Sequence, residues 1–341
     1  MKLTRYLYEK SYVEYSLLVS LLNRNSNEAM FWLYELYFSG YKQYSIVLIW
    51  KYYYMLYSAF FVNLEKFLQR KTIEWLDTND YTLIGTMIIN LATREPCIDF
   101  YMMMENRISY PDFILPWVNR IDLNISKSLN ILEDYIYINK CFKTKGEQSF
   151  DILLKTFDTI KFLDNTILKY ACISRMFSGL FLLDDHNGLD KKLFINLLEK
   201  DCKKYKNKPI VNMKSWKIPE SECIYTIYVP PNKSLLNIDI YQNWLNYCYY
   251  TPIWKKRIDR YLGYLHNNEI IFDNEDDEEN FYNMYNLEPD EQKQHVLQNW
   301  FGEKKYKTWN EIYKKYSLEI LHTWLNSNLE KIIKKINIKE K

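Results

Sequence analysis

From Leu3 to about Phe177 the apolar positions recur at three- and four-residue steps, the period of an α-helix. Leu7, Val13, Leu17, Leu18, Leu21 and Leu22 trace the first stripe. Asn23-Arg24-Asn25-Ser26-Asn27 then supplies polar side chains that end one helix and cap the next. The following stretch, Glu28 to Ser39, is apolar nearly all round, and Gly40 stands where a left-handed C-cap would sit. A helix apolar on every side needs several neighbours to cover it.

Further helices are predicted at 42–69, 80–92, 122–142, 149–163 and 165–178. The breaks fall at Asp77-Thr78-Asn79-Asp80, Arg94-Glu95-Pro96, Tyr110-Pro111, Leu115-Pro116 and Lys143-Thr144-Lys145-Gly146. Short connections between consecutive helices favour antiparallel neighbours. No fixed repeat period is present, which argues against a regular tetratricopeptide or ankyrin array.

Asp184-Asp185-His186-Asn187-Gly188 reads as a turn, and a helical pattern resumes from Lys191 to Lys204 through Leu193, Phe194, Leu197 and Leu198. The texture then changes. Lys203 to Lys217 is basic and interrupted by proline, and Glu222 to Val229 is rich in strand-formers before Pro230-Pro231 stops it. Helical period returns from Ile238 to about His266. The fold expected is therefore predominantly all-α, an irregular helical bundle or α-solenoid-like repeat, with a short β-hairpin near 222–229. The expected organisation is an N-terminal helical domain over 1–200, a connection over 201–236 and a C-terminal helical domain over 237–341.

Ser45 to Val62 carries a single charge, Lys51, and approaches the length of a membrane span. Its Trp50, Tyr52, Tyr53, Tyr54 and Tyr57 sit mid-segment, whereas a spanning helix keeps such rings at the headgroups. A buried core helix is the expectation, and no membrane contact is predicted.

An aromatic content of 17% beside only 7 glycines favours large packed helices over glycine-dependent loops. Neither G-x-G-x-x-G nor G-x-x-x-x-G-K-S/T occurs, which sets aside a nucleotide-driven motor. Lys and Arg total 45 against 43 Asp and Glu, so no global field draws the chain to nucleic acid or an anionic surface. Cys97, Cys141, Cys172, Cys202, Cys223 and Cys248 form no C-x-x-C pair, which points to core thiols in a reducing compartment. The N-terminal residues lack an apolar signal core, and a cytoplasmic location is expected.

His186, His266, His295 and His322 stand apart, with no H-E-x-x-H or G-x-S-x-G spacing around them. The run Asp273-Asn274-Glu275-Asp276-Asp277-Glu278-Glu279 has no glycine and no spaced ligands of a calcium loop, and reads as a loop entering a helix N-terminus. No catalytic residue, cofactor, metal or small-molecule substrate is predicted, and the chain reads as non-enzymatic.

Contact chemistry is better represented. Tyr249, Tyr250, Trp254, Lys255, Lys256 and Arg257 lie within nine residues and combine rings that stack on bases with cations that hold phosphate. The same types carry protein-contact hot spots, and they also build ordinary interhelical packing. The last segment, 303–341, holds ten lysines against five glutamates. Its apolar stripe runs from Leu318 through Leu325 to Ile336, a basic amphipathic pattern suited to RNA, a partner groove or the chain's own core.

Asn27-Glu28-Ala29-Met30-Phe31-Trp32-Leu33-Tyr34-Glu35-Leu36-Tyr37-Phe38-Ser39-Gly40 resembles a motif of uncharacterised proteins of nucleocytoplasmic large DNA viruses, the mimivirus-like group especially. The abundance of Asn, Lys, Ile and Tyr suggests an AT-rich coding genome. The resemblance covers that segment alone, carries no catalytic assignment and implies a viral factory in the host cytoplasm. The leading expectation is a viral helical scaffold or adaptor that holds other proteins through aromatic surface patches. The alternative is an RNA-associated helical-repeat factor, similar in architecture to the middle domain of the translation initiation scaffold, using the basic segments at 203–217, 254–260 and 303–341. A structural virion component is the third.

Overall fold

A computed structural model describes residues 2–98, 100–101, 153, 155–181, 193–206, 218–219, 239–285 and 303–304. Its helices are α1 (Lys10–Leu22), α2 (Ser26–Phe38), α3 (Lys42–Tyr52), α4 (Val62–Thr78), α5 (Tyr81–Ala92) and α6 (Asn165–Phe181). They continue with α7 (Glu199–Lys206), α8 (Asp239–Tyr249), α9 (Pro252–Arg260) and α10 (Glu275–Tyr285). A π-helical turn, Tyr53–Tyr57, follows α3. The strands are β1 (Ile218–Pro219), β2 (Tyr264–His266), β3 (Glu269–Ile271) and β4 (Glu303–Lys304); β1 pairs with β4 in parallel and β2 with β3 antiparallel. The protein is predominantly all-α, as its periodicity predicts, with a short β-hairpin at 264–271.

The chain divides into two compact units. One is drawn from Met1–Ile46, Ile84–Thr93 and Leu197–Trp309, the other from Val47–Leu83, Arg94–Asn196 and Asn310–Lys341. The boundary expected after residue 200 falls inside α7, and 222–229, 122–142 and 305–341 lie outside the described residues.

In the first unit α1 packs on α2. Asn25 caps α2, its side-chain oxygen accepting from the Glu28 N–H at 3.3 Å. Residues Glu28 through Tyr37 are all buried, and the two acids among them need partners because an unpaired buried charge is costly. Glu35 has them: the Arg5 Nε donates at 2.8 Å and the Tyr6 N–H at 3.0 Å. The Arg5 guanidinium also donates to the carbonyls of Tyr205 (2.7 Å) and Lys206 (2.6 Å), which end α7 and have no later turn to bond. Tyr205 stacks on Tyr34, ring centroids 5.5 Å apart. Gly40 follows α2 at φ +99°, the left-handed cap its position predicts.

The rest of this unit wraps Trp254. Its indole, fully buried, meets Trp244 edge-on at 5.5 Å and Tyr285 at 5.7 Å, and its Nε1 donates to the Thr4 carbonyl at 2.9 Å. The helix predicted to run from Ile238 to about His266 is instead α8, α9 and the start of a hairpin. Leu262 takes φ +56° beyond α9, and Asn267 and Asn268 take φ +48° and +67° between β2 and β3, the double left-handed turn of a two-residue hairpin. The acidic run enters α10, with the Asn274 side chain accepting from the Asp277 N–H at 2.8 Å.

In the second unit the helix predicted over 42–69 is interrupted. The π-turn widens the backbone, Phe61 leaves helical dihedrals at φ −121°, ψ 63°, and α4 starts afresh at Val62. Three of the mid-segment rings are tied down at their polar tips: Trp50 Nε1 donates to Thr72 Oγ1 (3.1 Å), the Tyr54 hydroxyl to Glu65 (2.8 Å) and the Tyr53 hydroxyl to the Phe61 carbonyl (3.2 Å). No helix among the described residues is long and apolar enough to cross a membrane. The helix predicted over 191–204 is also shorter, because 193–198 has no regular structure; Phe194 stacks on Phe67 at 4.4 Å.

Candidate functional site

The six residues singled out between 249 and 257 do not share a surface. Pro252 stands at the first turn of α9, whose Trp254 and Ile258 are buried. The Arg257 guanidinium follows them, lying 4.4 Å over the Trp254 ring and 4.7 Å over Tyr285. Burial lowers the Arg257 pKa from its usual value, with Tyr285 opposing that effect, and its Nη1 has no hydrogen-bond partner. Lys255 and Lys256 are exposed, Tyr249 is half-buried and Tyr250 is 54% exposed. Tyr249 and Tyr250 meet edge-on at 5.9 Å, and the Lys255 ammonium sits 5.7 Å over Tyr249.

A cleft of about 400 Å³ opens between α8 and the hairpin. Asn243, Asn246, Tyr247 and Tyr250 line one wall, and their spacing of three, four and seven residues is one face of a helix. Asn243 also departs from helical dihedrals (φ −124°, ψ 21°), so the wall bends where the cleft begins. Leu265, Asn267, Asn268 and Glu269 form the other wall. The left-handed turn that closes the hairpin therefore also delivers two carboxamides to the cleft.

The lining has a definite chemistry. Four carboxamides both donate and accept, two phenols offer flat apolar faces with a polar tip, and Glu269 is the charged member. Among the described residues no lysine, arginine or histidine belongs to the lining. The hairpin is also partly apolar: Tyr264, 47% exposed, stands opposite Ile271, 37% exposed, and nearby Leu262 is 55% exposed.

Of the residues predicted from sequence, only Tyr250 lies in this cleft. The asparagines escaped notice because single polar residues on a half-buried helix read as solvated positions. The usable signal was the Asn-Asn pair flanked by Tyr-Leu-His and Glu-Ile-Ile, a hairpin turn signature.

The described cysteines, Cys97, Cys172, Cys202 and Cys248, are buried free thiols. Burial pushes Cys172 and Cys248 well above the usual thiol range, the opposite of what a nucleophile needs. Among the described residues no group of three or more His, Cys, Asp or Glu is arranged to hold a metal. Comparison with known proteins finds no matching family model, curated protein or solved structure.

Proposed function

We propose that this chain is a helical adaptor that holds another protein through the face formed by α8 and the β2–β3 hairpin. The observation that carries the reading is the cleft itself: carboxamides and phenols on two rigid walls, with Tyr250 exposed at its edge. Amides suit the alternating donors and acceptors of a polypeptide, and tyrosine adds contact area at low entropic cost. The Tyr264–Ile271 pair adds apolar surface on the same hairpin. On the resemblance at 27–40, the setting is a viral factory in the host cytoplasm.

The test is affinity purification of the tagged full chain from producing cells, with and without nuclease, alongside Tyr250→Ala and Tyr264→Ala. The adaptor reading expects protein partners that survive nuclease and are depleted by either substitution. Partners lost with nuclease, a steep salt dependence and loss of binding on Lys255→Ala with Lys256→Ala would replace it with the RNA-associated factor.

A further inference from the structure

We infer that the cleft between α8 and the hairpin takes a cationic side chain, a lysine or arginine presented by the protein partner, an inference that rests on the adaptor reading. The first ground is charge. Glu269 is the charged group of the lining among the described residues, and no described lysine or arginine belongs to it, so an anionic ligand meets repulsion and a cation meets attraction there. Lys255 and Lys256 stand on α9, outside the lining.

The second ground is hydrogen-bond inventory. An ammonium or guanidinium donates only, and Asn246 on one wall and Asn267, Asn268 and Glu269 on the other each carry a side-chain oxygen that can accept. The third is the pair of phenols. Tyr247 on α8 and Tyr250 just past its end are three residues apart, and aromatic faces attract a cation within about 6 Å of the ring. The apolar stem of a lysine or arginine then has Leu265 and the ring faces to lie against.

The surroundings reinforce the sign. Residues 239–285 contain nine acidic against four basic side chains. The acidic helix α10 packs on α8 through Tyr282 and Trp244, ring centroids 6.5 Å apart, so its carboxylates belong to the same body as the cleft. His266 stands opposite Glu269 in the hairpin register.

The experiment is fluorescence anisotropy of the full chain with a labelled Gly-Lys-Gly-Lys-Gly peptide, its norleucine counterpart and its glutamate counterpart. Tyr250→Ala, Tyr250→Phe, Glu269→Gln and Asp276→Asn are measured beside the wild type. Glu269, Tyr250 and Asp276 are all exposed, so the variants should unfold at the wild-type temperature. The expected result is binding of the lysine peptide at least about tenfold tighter than either counterpart, weakened about five- to tenfold by Glu269→Gln and by Tyr250→Ala. Asp276→Asn, outside the lining, should stay within about twofold, and Tyr250→Phe, which keeps the ring, should bind more tightly than Tyr250→Ala.

Norleucine and lysine peptides binding equally, or no binding of the lysine peptide, overturns the inference. So does an equal effect of Asp276→Asn and Glu269→Gln, which would reveal a diffuse acidic surface instead of a site. The two proposals fail separately. If nuclease-resistant partners are lost on Tyr250→Ala but kept on Glu269→Gln, the adaptor stands and the cationic anchor falls. If no protein partner is recovered while the lysine peptide binds as described, the adaptor falls and the cleft's selectivity for cations stands.

Discussion

The Trp254 indole nitrogen donates to the Thr4 carbonyl oxygen at 2.9 Å, joining residues 250 positions apart in the chain. The bond ties the N-terminal turn ahead of α1 to the helices that build the cleft wall. It also defines Trp254 as an interior residue, though its sequence neighbours Lys255 and Lys256 are exposed.

Trp254→Ala should therefore cost about 3–5 kcal/mol by loss of a fully buried ring. Trp254→Phe keeps most of the ring and should cost about 0.5–1.5 kcal/mol by removing one of the two donors to the Thr4 carbonyl, which keeps the Leu7 N–H at 3.0 Å. Lys255→Ala and Lys256→Ala should stay within about 0.5 kcal/mol. Urea unfolding of the four variants measures this ranking, and a harmless Trp254→Ala would return that residue to the surface.

Arg5 and Glu35 form the second long-range tie. Both side chains are at most 5% exposed, and Arg5 also holds the last carbonyls of α7. Arg5→Met should cost about 3–5 kcal/mol because it strands a buried carboxylate. Adding Glu35→Met should restore part of that loss but not all, since the carbonyls of Tyr205 and Lys206 lose their donors in both proteins. A double-mutant cycle read by urea unfolding separates the two contributions.

Gly40 meets two demands at once. Its φ of +99° suits glycine, and a Cβ there would come within 2.5 Å of the Pro252 side chain. Gly40→Ala should destabilise by more than about 1 kcal/mol and disturb the start of α9. Thermal unfolding gives the cost, and tryptophan fluorescence reports whether Trp254 moves. An unchanged melting temperature would contradict the packing at this junction.

Alkaline pH should loosen the first unit. Burial pushes the Tyr205 phenol up to about 12, with the Cys202 charge adding to the shift, and burial takes Tyr12 to about 12 with help from Glu9. A phenol ionises near 10 in an unfolded chain, so each contributes its full share of stability below pH 10 and loses it as pH rises from 10 to 12. The urea midpoint should fall across that window. Tyr205→Phe, which cannot ionise in either state, should fall less steeply from its own pH 8 value. Parallel slopes for the two proteins would refute the assignment.

Where local chemistry decides an element, the chain can be read directly. Asn25 caps α2, Gly40 ends it with a left-handed dihedral, and Asn79 ends α4 at φ +54°, all at positions marked by polar or glycine punctuation. Ser45 to Val62 was legible as core because phenols and an indole in hydrocarbon would need partners, and the partners are Thr72, Glu65 and the Phe61 carbonyl. The π-turn at 53–57 was not legible, because a run of bulky rings satisfies the three- and four-residue pattern whether or not the backbone widens. Nor was the hairpin, whose short strands sat inside a stretch of apparent helical period.

What the sequence determined by itself was the helical class, the buried character of the aromatic runs and most of the helix ends. Those follow from interactions within a few residues, where spacing and capping chemistry act. Tertiary structure alone decided the orientation of α9, because Trp254 turns inward only when Thr4, Trp244 and Tyr285 are there to receive it. It likewise decided the cleft, since Asn246 and Asn268 lie on different elements and become one lining only when the hairpin folds beside α8. Side-chain type is local, but a site is a matter of distance, and distance between remote segments is set by packing.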